Sequence, residues 1–124
     1  MVSVDYNKGV KPDIVADITT DRFVAEVKKK HKAYKSLIIN GVIGWGVNKS
    51  ADIHKALVNC KKVMAPGGYM LMGWNAMPFE GKDADTTITI PMMKKYLKKY
   101  FKDIKLIYNK KDDEWNHKYI ICRK

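Results

Sequence analysis

Apolar and polar residues alternate along the chain in blocks that predict an α/β fold. Residues 51–64 carry apolar side chains at helical spacing, which indicates a helix with one buried stripe. Pro66 and the two glycines after it predict the end of that helix, and residues 69–74 are typical of a buried strand. A helix that leads through a short turn into a buried strand is the repeating unit of a parallel sheet. The predicted buried positions of the helix are Ile53, Ala56, Leu57, Cys60, Val63 and Met64.

The remaining blocks extend this alternation over residues 1–124, which we interpret as a single domain. The last two predicted strands have no helix between them and should therefore be antiparallel. The order ββαβαβαββ then gives a mostly parallel sheet with flanking helices and a C-terminal antiparallel hairpin. The first helix should bury a stripe of Phe23, Val24, Val27, His31 and Tyr34, with His31 half-buried. The other predicted strands are 1–6, 14–18, 102–108 and 117–122, and the stretch 37–47 should begin as a buried strand and end in a glycine-broken loop. The other predicted helices are 22–33 and about 89–101, and the predicted loops are 75–85 and 109–116.

Composition is typical of a globular protein, with 46% hydrophobic and 30% charged residues. No apolar run approaches the roughly 20 residues that cross a bilayer, and the N-terminus lacks the pattern of a secretory signal. Cys60 and Cys122 have neither metal-ligand spacing nor the density of a disulfide framework, so we expect buried, reduced thiols. These observations predict a cytoplasmic protein without a membrane span.

The net charge of +11 predicts attraction to polyanions. Nearly all of this charge is lysine, and the arginines are Arg22 and Arg123. Because specific phosphate and base recognition favours the arginine fork, the lysine faces around 28–32 and 94–99 would make only non-specific contacts. One hypothesis is therefore a basic nucleic-acid-binding protein, and the other is a solvated lysine surface.

Polar residues stand where the predicted parallel strands end. Asp5 and Asp17 follow the first two strands, and Asn40 and Gly41 follow the apolar start of the third. Ligands of open α/β sheets bind beyond the carboxyl ends of the strands, where a carboxylate can accept hydrogen bonds from a ribose or an amine. The alternative is that both acids are turn or capping residues, which is common for Asp.

Taken in order, these stretches resemble the class I S-adenosylmethionine-dependent methyltransferases over nearly the whole chain. VSVDYN is similar to the second strand of that family, and KPDIVADIT to the third. LIINGVIGW resembles the fourth strand with its loop, and VNCKKVMAPGGYMLMGW resembles the fifth helix–strand unit. The resemblance implies a Rossmann-like sheet, and the predicted C-terminal hairpin matches the last two strands of the family.

The resemblance also implies a site for S-adenosylmethionine. The acid that ends the second strand, here Asp5, would bind the cofactor ribose, and Tyr6 would pack on the adenine. Asp17 would meet the adenine amine, with an apolar neighbour beside it, and the asparagine-glycine pair would line the methyl-donor side. The implied cofactor-binding residues are therefore Asp5, Tyr6, Asp17, Ile18, Asn40 and Gly41.

The first strand and the glycine-rich loop of the family have no counterpart in the chain. Both should precede Val2, so the resemblance implies a fold that is truncated at its N-terminus. Three arrangements are open: a shortened sheet, direct pairing of the first strand with the Leu37 strand, or a second chain in the gap. Uncovered strand edges associate readily, which predicts a homo-oligomer and leaves a non-catalytic oligomeric module as an alternative to an enzyme.

No catalytic residue and no metal site can be assigned from the sequence. The three histidines are far apart, and no metal-binding motif is present. Methyl transfer depends mainly on in-line, desolvated geometry, so it requires no catalytic triad. Cofactor binding and turnover are therefore separate hypotheses.

Overall fold

The structure is a computed structural model that describes residues 1–44, 46–76, 88–109 and 117–124. Helices and strands alternate as the sequence predicts, and the α/β class is confirmed. The strands are β1 (Val4–Asp5), β2 (Ile14–Val15), β3 (Tyr34–Asn40), β4 (Met64–Asn75), β5 (Lys102–Asn109) and β6 (His117–Arg123). The helices are α1 (Asp21–Lys30), α2 (Ser50–Val63) and α3 (Ile90–Lys98), and Lys8–Val10 form a 3-10 turn.

The strands form two sheets. β1 and β2 form a parallel pair, and the larger sheet has the order β3-β4-β6-β5. β3 and β4 are parallel, whereas β6 is antiparallel to both of its neighbours, which confirms the C-terminal hairpin. Within the described residues β1 pairs only with β2 and β3 only with β4, so direct pairing of the first strand with the Leu37 strand is wrong.

The three helices pack on one face of the larger sheet. Met70, Met72 and Trp74 of β4 are fully buried in a core that also contains the apolar stripes of α2 and α3. α1 lies beside α2, where Phe23 and Val27 share a second core cluster with the end of α2. On the other face the side chains are more exposed, because none of the described helices covers them. Ile38 is 66% exposed and Tyr69 is 47% exposed.

The junction of α2 and β4 differs from the prediction. α2 ends at Val63 and β4 begins at once with Met64, so the Pro-Gly-Gly sequence lies inside the strand and does not end the helix. Tyr34 of β3 pairs with Met64, but Ser36 pairs with Tyr69, which places an irregular segment of β4 between the two pairs. The sequence therefore forms a bulge in a strand that is longer than predicted.

Glycine is required in this bulge for two different reasons. Gly67 has a φ of +72°, in the region that L side chains rarely adopt. At Gly68 a Cβ atom would lie 2.9 Å from the carbonyl oxygen of Ala65 and 3.1 Å from those of Tyr34 and Lys35. The bulge thus brings three backbone carbonyl groups around a position that has no room for a side chain.

The buried stripe of α2 is confirmed, but that of α1 is shorter than predicted. Phe23 and Val27 are buried, whereas α1 ends at Lys30 and His31 is exposed in an extended conformation. The prediction of a half-buried His31 on the helix is therefore wrong. Tyr34, predicted on the same stripe, instead begins β3; it packs against the second core cluster, and its hydroxyl donates to the carbonyl oxygen of Val27 at 3.1 Å.

Both cysteines are buried and free, as expected. Burial raises the pKa of the Cys122 thiol from 9.0 to about 12 and raises that of Cys60 as well. Within the described part of the chain, no helix has the length and apolarity to cross a membrane. Most of the predicted loop at 75–85 and nearly all of the loop at 109–116 lie outside the described residues.

Candidate functional site

Asp5 ends β1 and forms a local turn. Its Oδ1 accepts a hydrogen bond from the backbone N–H of Asn7 at 2.8 Å, while its backbone carbonyl accepts from the N–H of Ala16 at 3.0 Å. A side chain that binds the backbone two residues ahead competes with the strand ladder, which explains why β1 stops here and not at Tyr6. Tyr6 is 72% exposed. Among the described residues, the second carboxylate oxygen of Asp5 has no hydrogen-bond partner.

Asp17 lies beyond the end of β2 and forms a similar turn. Its Oδ1 accepts from the backbone N–H of Thr19 at 2.9 Å and from the Thr19 hydroxyl at 2.8 Å. Its backbone carbonyl accepts from the hydroxyl of Thr20, which in turn caps α1 by accepting from the N–H of Phe23. Ile18 is half-buried and packs on both core clusters. Both acids are therefore turn residues, as the structural alternative predicted, although each uses only Oδ1 in its turn.

The two acids lie at the same edge of the small sheet. β1 and β2 are parallel and in register, with Asp5 opposite Val15, and Asp17 follows two residues later. Because the carboxyl ends of parallel strands meet at one edge, Asp5 and Asp17 are brought together there. Tyr6 and Ile18 directly follow the two acids.

Asn59 of α2 holds this edge in place, and sequence reasoning missed it. Asn59 is only 4% exposed, and its Nδ2 donates to the carbonyl oxygens of Ile18 at 2.8 Å and Thr20 at 3.1 Å. The loop that carries Asp17 is thereby tied to α2, which packs on the larger sheet. The sequence did contain a signal, because Asn59 follows the buried Ala56 by three residues and so lies on the same helix face. A polar residue on a buried face typically has a specific hydrogen-bond partner.

Asn40 and Gly41 lie where β3 ends, in the larger sheet. Gly41 has a φ of +67°, and its N–H donates to the carbonyl oxygen of Gly73 at 3.2 Å. The space above Gly73 is filled by two side chains, because a Cβ atom there would lie 2.6 Å from Oδ1 of Asn40 and 2.5 Å from the ring of Tyr119. Gly73 therefore allows Asn40 and Tyr119 to lie across the uncovered face of the sheet.

A polar and aromatic cluster lies next to Asn40, and it too was missed. Nδ1 of His117 hydrogen-bonds to Oδ1 of Asn75, and the His117 ring contacts the ring of Tyr119 with centroids 4.6 Å apart. Tyr119 also contacts Tyr108 at 5.8 Å. Within the described residues, the buried Nε2 of His117 has no partner. The pairing of Asn75 with His117 follows from the antiparallel register, which no local sequence pattern reveals.

The implied cofactor residues thus form two groups. Asp5, Tyr6, Asp17 and Ile18 belong to the edge of the small sheet, and Asn40 and Gly41 belong to that of the large one. In the part of the chain that the structure describes, no hydrogen bond or ring contact joins the groups. The described part of the chain also contains no group of three or more His, Cys, Asp or Glu side chains that could hold a metal ion.

Several solved structures share this fold. The structure is similar to the N-methyltransferase NodS from Bradyrhizobium japonicum WM9, with a TM-score of 0.71 and 11% identity over 98% of this chain and 71% of NodS. It is also similar to a SAM-dependent methyltransferase from Archaeoglobus fulgidus, with a TM-score of 0.63 and 15% identity over 98% of this chain and 74% of that protein.

A third similar structure contains a bound ligand. SMU.776, named as a methyltransferase and solved in complex with SAH, matches with a TM-score of 0.55 and 18% identity. The match covers 90% of this chain but only 31% of SMU.776. No protein-family profile and no curated protein matches the sequence. At these identities the similarity establishes the class I methyltransferase fold.

Proposed function

We propose that the protein binds S-adenosylmethionine, or its product S-adenosylhomocysteine, at the carboxyl edge of its parallel strands. The observation that carries the proposal is the position of Asp5 and Asp17, at the ends of adjacent strands in a methyltransferase fold. Each carboxylate uses Oδ1 in a local turn and has a second oxygen that can accept a hydrogen bond from a ligand.

The roles of the individual residues follow from their chemistry. Asp5 would accept from the ribose hydroxyls and Asp17 from the adenine amine. The exposed ring of Tyr6 is free to lie against the adenine, and half-buried Ile18 offers an apolar contact beside it. Asn40 and Gly41 would lie on the methyl-donor side, next to Tyr119. When bound, S-adenosylmethionine would supply an electrophilic methyl group.

Cofactor titration by calorimetry, paired with thermal unfolding, tests this proposal. We expect binding at millimolar cofactor or below. A ligand at 100 times its Kd that binds only the folded protein should stabilise it by about 2.7 kcal/mol. The absence of both binding heat and thermal stabilisation at millimolar concentrations of either cofactor would refute the proposal.

The Asp5→Asn substitution tests the assignment of residues. The Asn side chain keeps the oxygen that accepts from Asn7, so the turn survives, but the charge that binds the ribose is lost. Hydrogen bonds to charged groups contribute roughly 1.5–3 kcal/mol, so the affinity should fall about 10- to 150-fold. Asp103→Asn, at the opposite edge of the sheet, is the control with the same change of charge and should bind normally. Equal affinities of both variants would show that Asp5 is not a ligand.

A second candidate function is that of a non-catalytic module that associates with a second copy of itself. The exposed Ile38 and Tyr69 favour this candidate, because they lie on adjacent strands on the sheet face that none of the described helices covers. Exposed apolar surfaces of this kind commonly mark association sites. The mass of the protein in solution tests this proposal, and a mass of one chain at all working concentrations would contradict it.

A further inference from the structure

The directions of the helices and strands determine where the lysine-rich helix ends lie. α2 ends directly at the start of β4, α1 ends four residues before β3, and α3 ends four residues before β5. β3, β4 and β5 run in the same direction, because β6 is antiparallel to both β4 and β5. All three helices therefore end at the edge where the parallel strands begin, opposite to the proposed cofactor site.

Lysines are concentrated at these helix ends. The last turn of α1 carries three lysines, and those of α2 and α3 carry two each. Lys99 and Lys102 continue the series after α3, and Arg123 of β6 pairs with Lys102 and Tyr69 across the same edge. We call this surface the basic edge; it consists of the last turns of the three helices and the adjoining strand ends.

Among the described residues, three acidic side chains compensate only part of this charge. Asp13, just before β2, accepts hydrogen bonds from Ser3, and these bonds together with the positive charge of Lys30 lower the pKa of Asp13. Glu26 forms an ion pair with Lys29 at 3.1 Å, and Asp103 forms one with Arg123 at 3.5 Å. Asp5 and Asp17, by contrast, lie at the far edge of the small sheet. The excess of positive charge in the described chain is therefore directional, which the net charge of +11 alone does not reveal.

We propose that the basic edge binds the phosphate backbone of nucleic acid, independently of the cofactor site. Three helices packed about 10 Å apart span about 20 Å between the outer axes. A duplex of about that length carries about 12 phosphates, so the lysines of the three helix ends extend over about the same length as those phosphates. The lysine ammonium groups act as point charges, so binding should depend little on base sequence.

The surface fits nucleic acid better than a membrane. Insertion into a bilayer interface requires a face with several large apolar side chains. In the described chain, the large apolar side chains exposed near this edge are Met1 and Tyr69, and the guanidinium of Arg123 covers Tyr69 at 5.0 Å from its ring centroid. Tyr69 and Arg123 together offer a stacked pair on which a base could pack.

Two triple variants with the same loss of charge test the proposal. Lys30→Gln, Lys62→Gln and Lys99→Gln remove one exposed lysine from each helix end of the basic edge. The control variant carries Lys8→Gln, Lys49→Gln and Lys55→Gln, which are also exposed but lie nearer to the cofactor edge. Binding of a fluorescein-labelled 20-base-pair DNA is measured by fluorescence polarisation over a series of salt concentrations, and vesicles of phosphatidylserine and phosphatidylcholine are measured in parallel.

For the unchanged protein we expect DNA binding that weakens steeply with salt. The basic-edge variant should lower the slope of log K against log salt by about 2 to 3 and the affinity at least tenfold at about 100 mM salt. The control variant should change the affinity less than threefold.

Four outcomes would overturn the proposal. These are an absence of DNA binding, equal losses in the two triple variants, tighter binding to the vesicles than to DNA, or a lowered melting temperature of the basic-edge variant with unchanged DNA affinity. The last outcome would show that these lysines only stabilise helix ends through the helix dipole. Cofactor titrations of the same variants keep this test separate from that of the cofactor site.

Discussion

Replacement of Gly68 by alanine tests whether the bulge at the start of β4 is as tightly packed as the structure shows. A Cβ atom at this position would lie 2.9 Å from the carbonyl oxygen of Ala65 and 3.1 Å from the carbonyl oxygens of Tyr34 and Lys35. All three neighbours are backbone atoms, so no side chain can rotate away to make room. To relieve the contacts, either the bulge or the first residues of β3 must move.

The expected cost follows from this geometry. A methyl group forced into a well-packed site typically costs about 1–3 kcal/mol. For a chain of 124 residues, 1 kcal/mol corresponds to about 4 °C in the melting temperature, so the variant should melt about 4–12 °C lower. The backbone N–H of Lys124 donates to the carbonyl oxygen of Gly68 at 2.9 Å, so displacement of the bulge should also weaken this hydrogen bond.

Thermal unfolding followed by circular dichroism measures the effect, and Gly41→Ala is the control. Gly41 has a φ of +67°, but no atom lies within 4 Å of its missing Cβ, so its substitution costs only backbone strain of about 1 kcal/mol. We expect Gly68→Ala to be the more destabilising of the two, with faster amide exchange at Lys124. A melting temperature of Gly68→Ala within 2 °C of the unchanged protein, roughly half a kcal/mol, would refute the packing argument.

Two further predictions concern the loop that carries Asp17 and the uncovered sheet face. Asn59→Leu removes the donor that the carbonyl oxygens of Ile18 and Thr20 share. We expect the free energy of unfolding in urea to fall by about 2 kcal/mol and the cofactor affinity to fall as the loop shifts, and an unchanged free energy of unfolding would contradict this role. If the protein associates through the uncovered sheet face, Ile38→Glu should yield single chains in sedimentation, whereas Val10→Glu, at a similarly exposed apolar position, should not. Dissociation by both variants or by neither would exclude association through the uncovered face.

The elements of the larger sheet could be predicted from the sequence because their signals are local. The stripe of α2 and the closing hairpin depend on side-chain spacing and on the absence of a helix between two strands, and both are observed. The positions of Asp5 and Asp17 at strand ends were predictable for the same reason. Errors occurred where a local signal competed with pairing. The Pro-Gly-Gly segment predicts a helix end, but it lies in β4 as a bulge between Met64 and Tyr69, which both pair with β3.

The part of the candidate site around Asn40 could not be predicted, because it depends on the register in which the strands pair. Asn75 and His117 are 42 residues apart and meet only through the pairing of β4 with β6. The space for Asn40 and Tyr119 above Gly73 likewise exists only when three strands lie side by side. Neither arrangement can be recognised from residues that are close together in the sequence.

The sequence by itself determined the α/β class, the core stripe of α2, the strand-end acids and the size of the positive charge. The tertiary structure decided that the strands divide into two sheets, that Asn59 ties the Asp17 loop to the core, and that the lysines of the three helix ends lie at one edge. The physical reason is that spacing along the chain determines which side of one element is buried. The direction and packing of several elements together determine which charges and polar groups become neighbours.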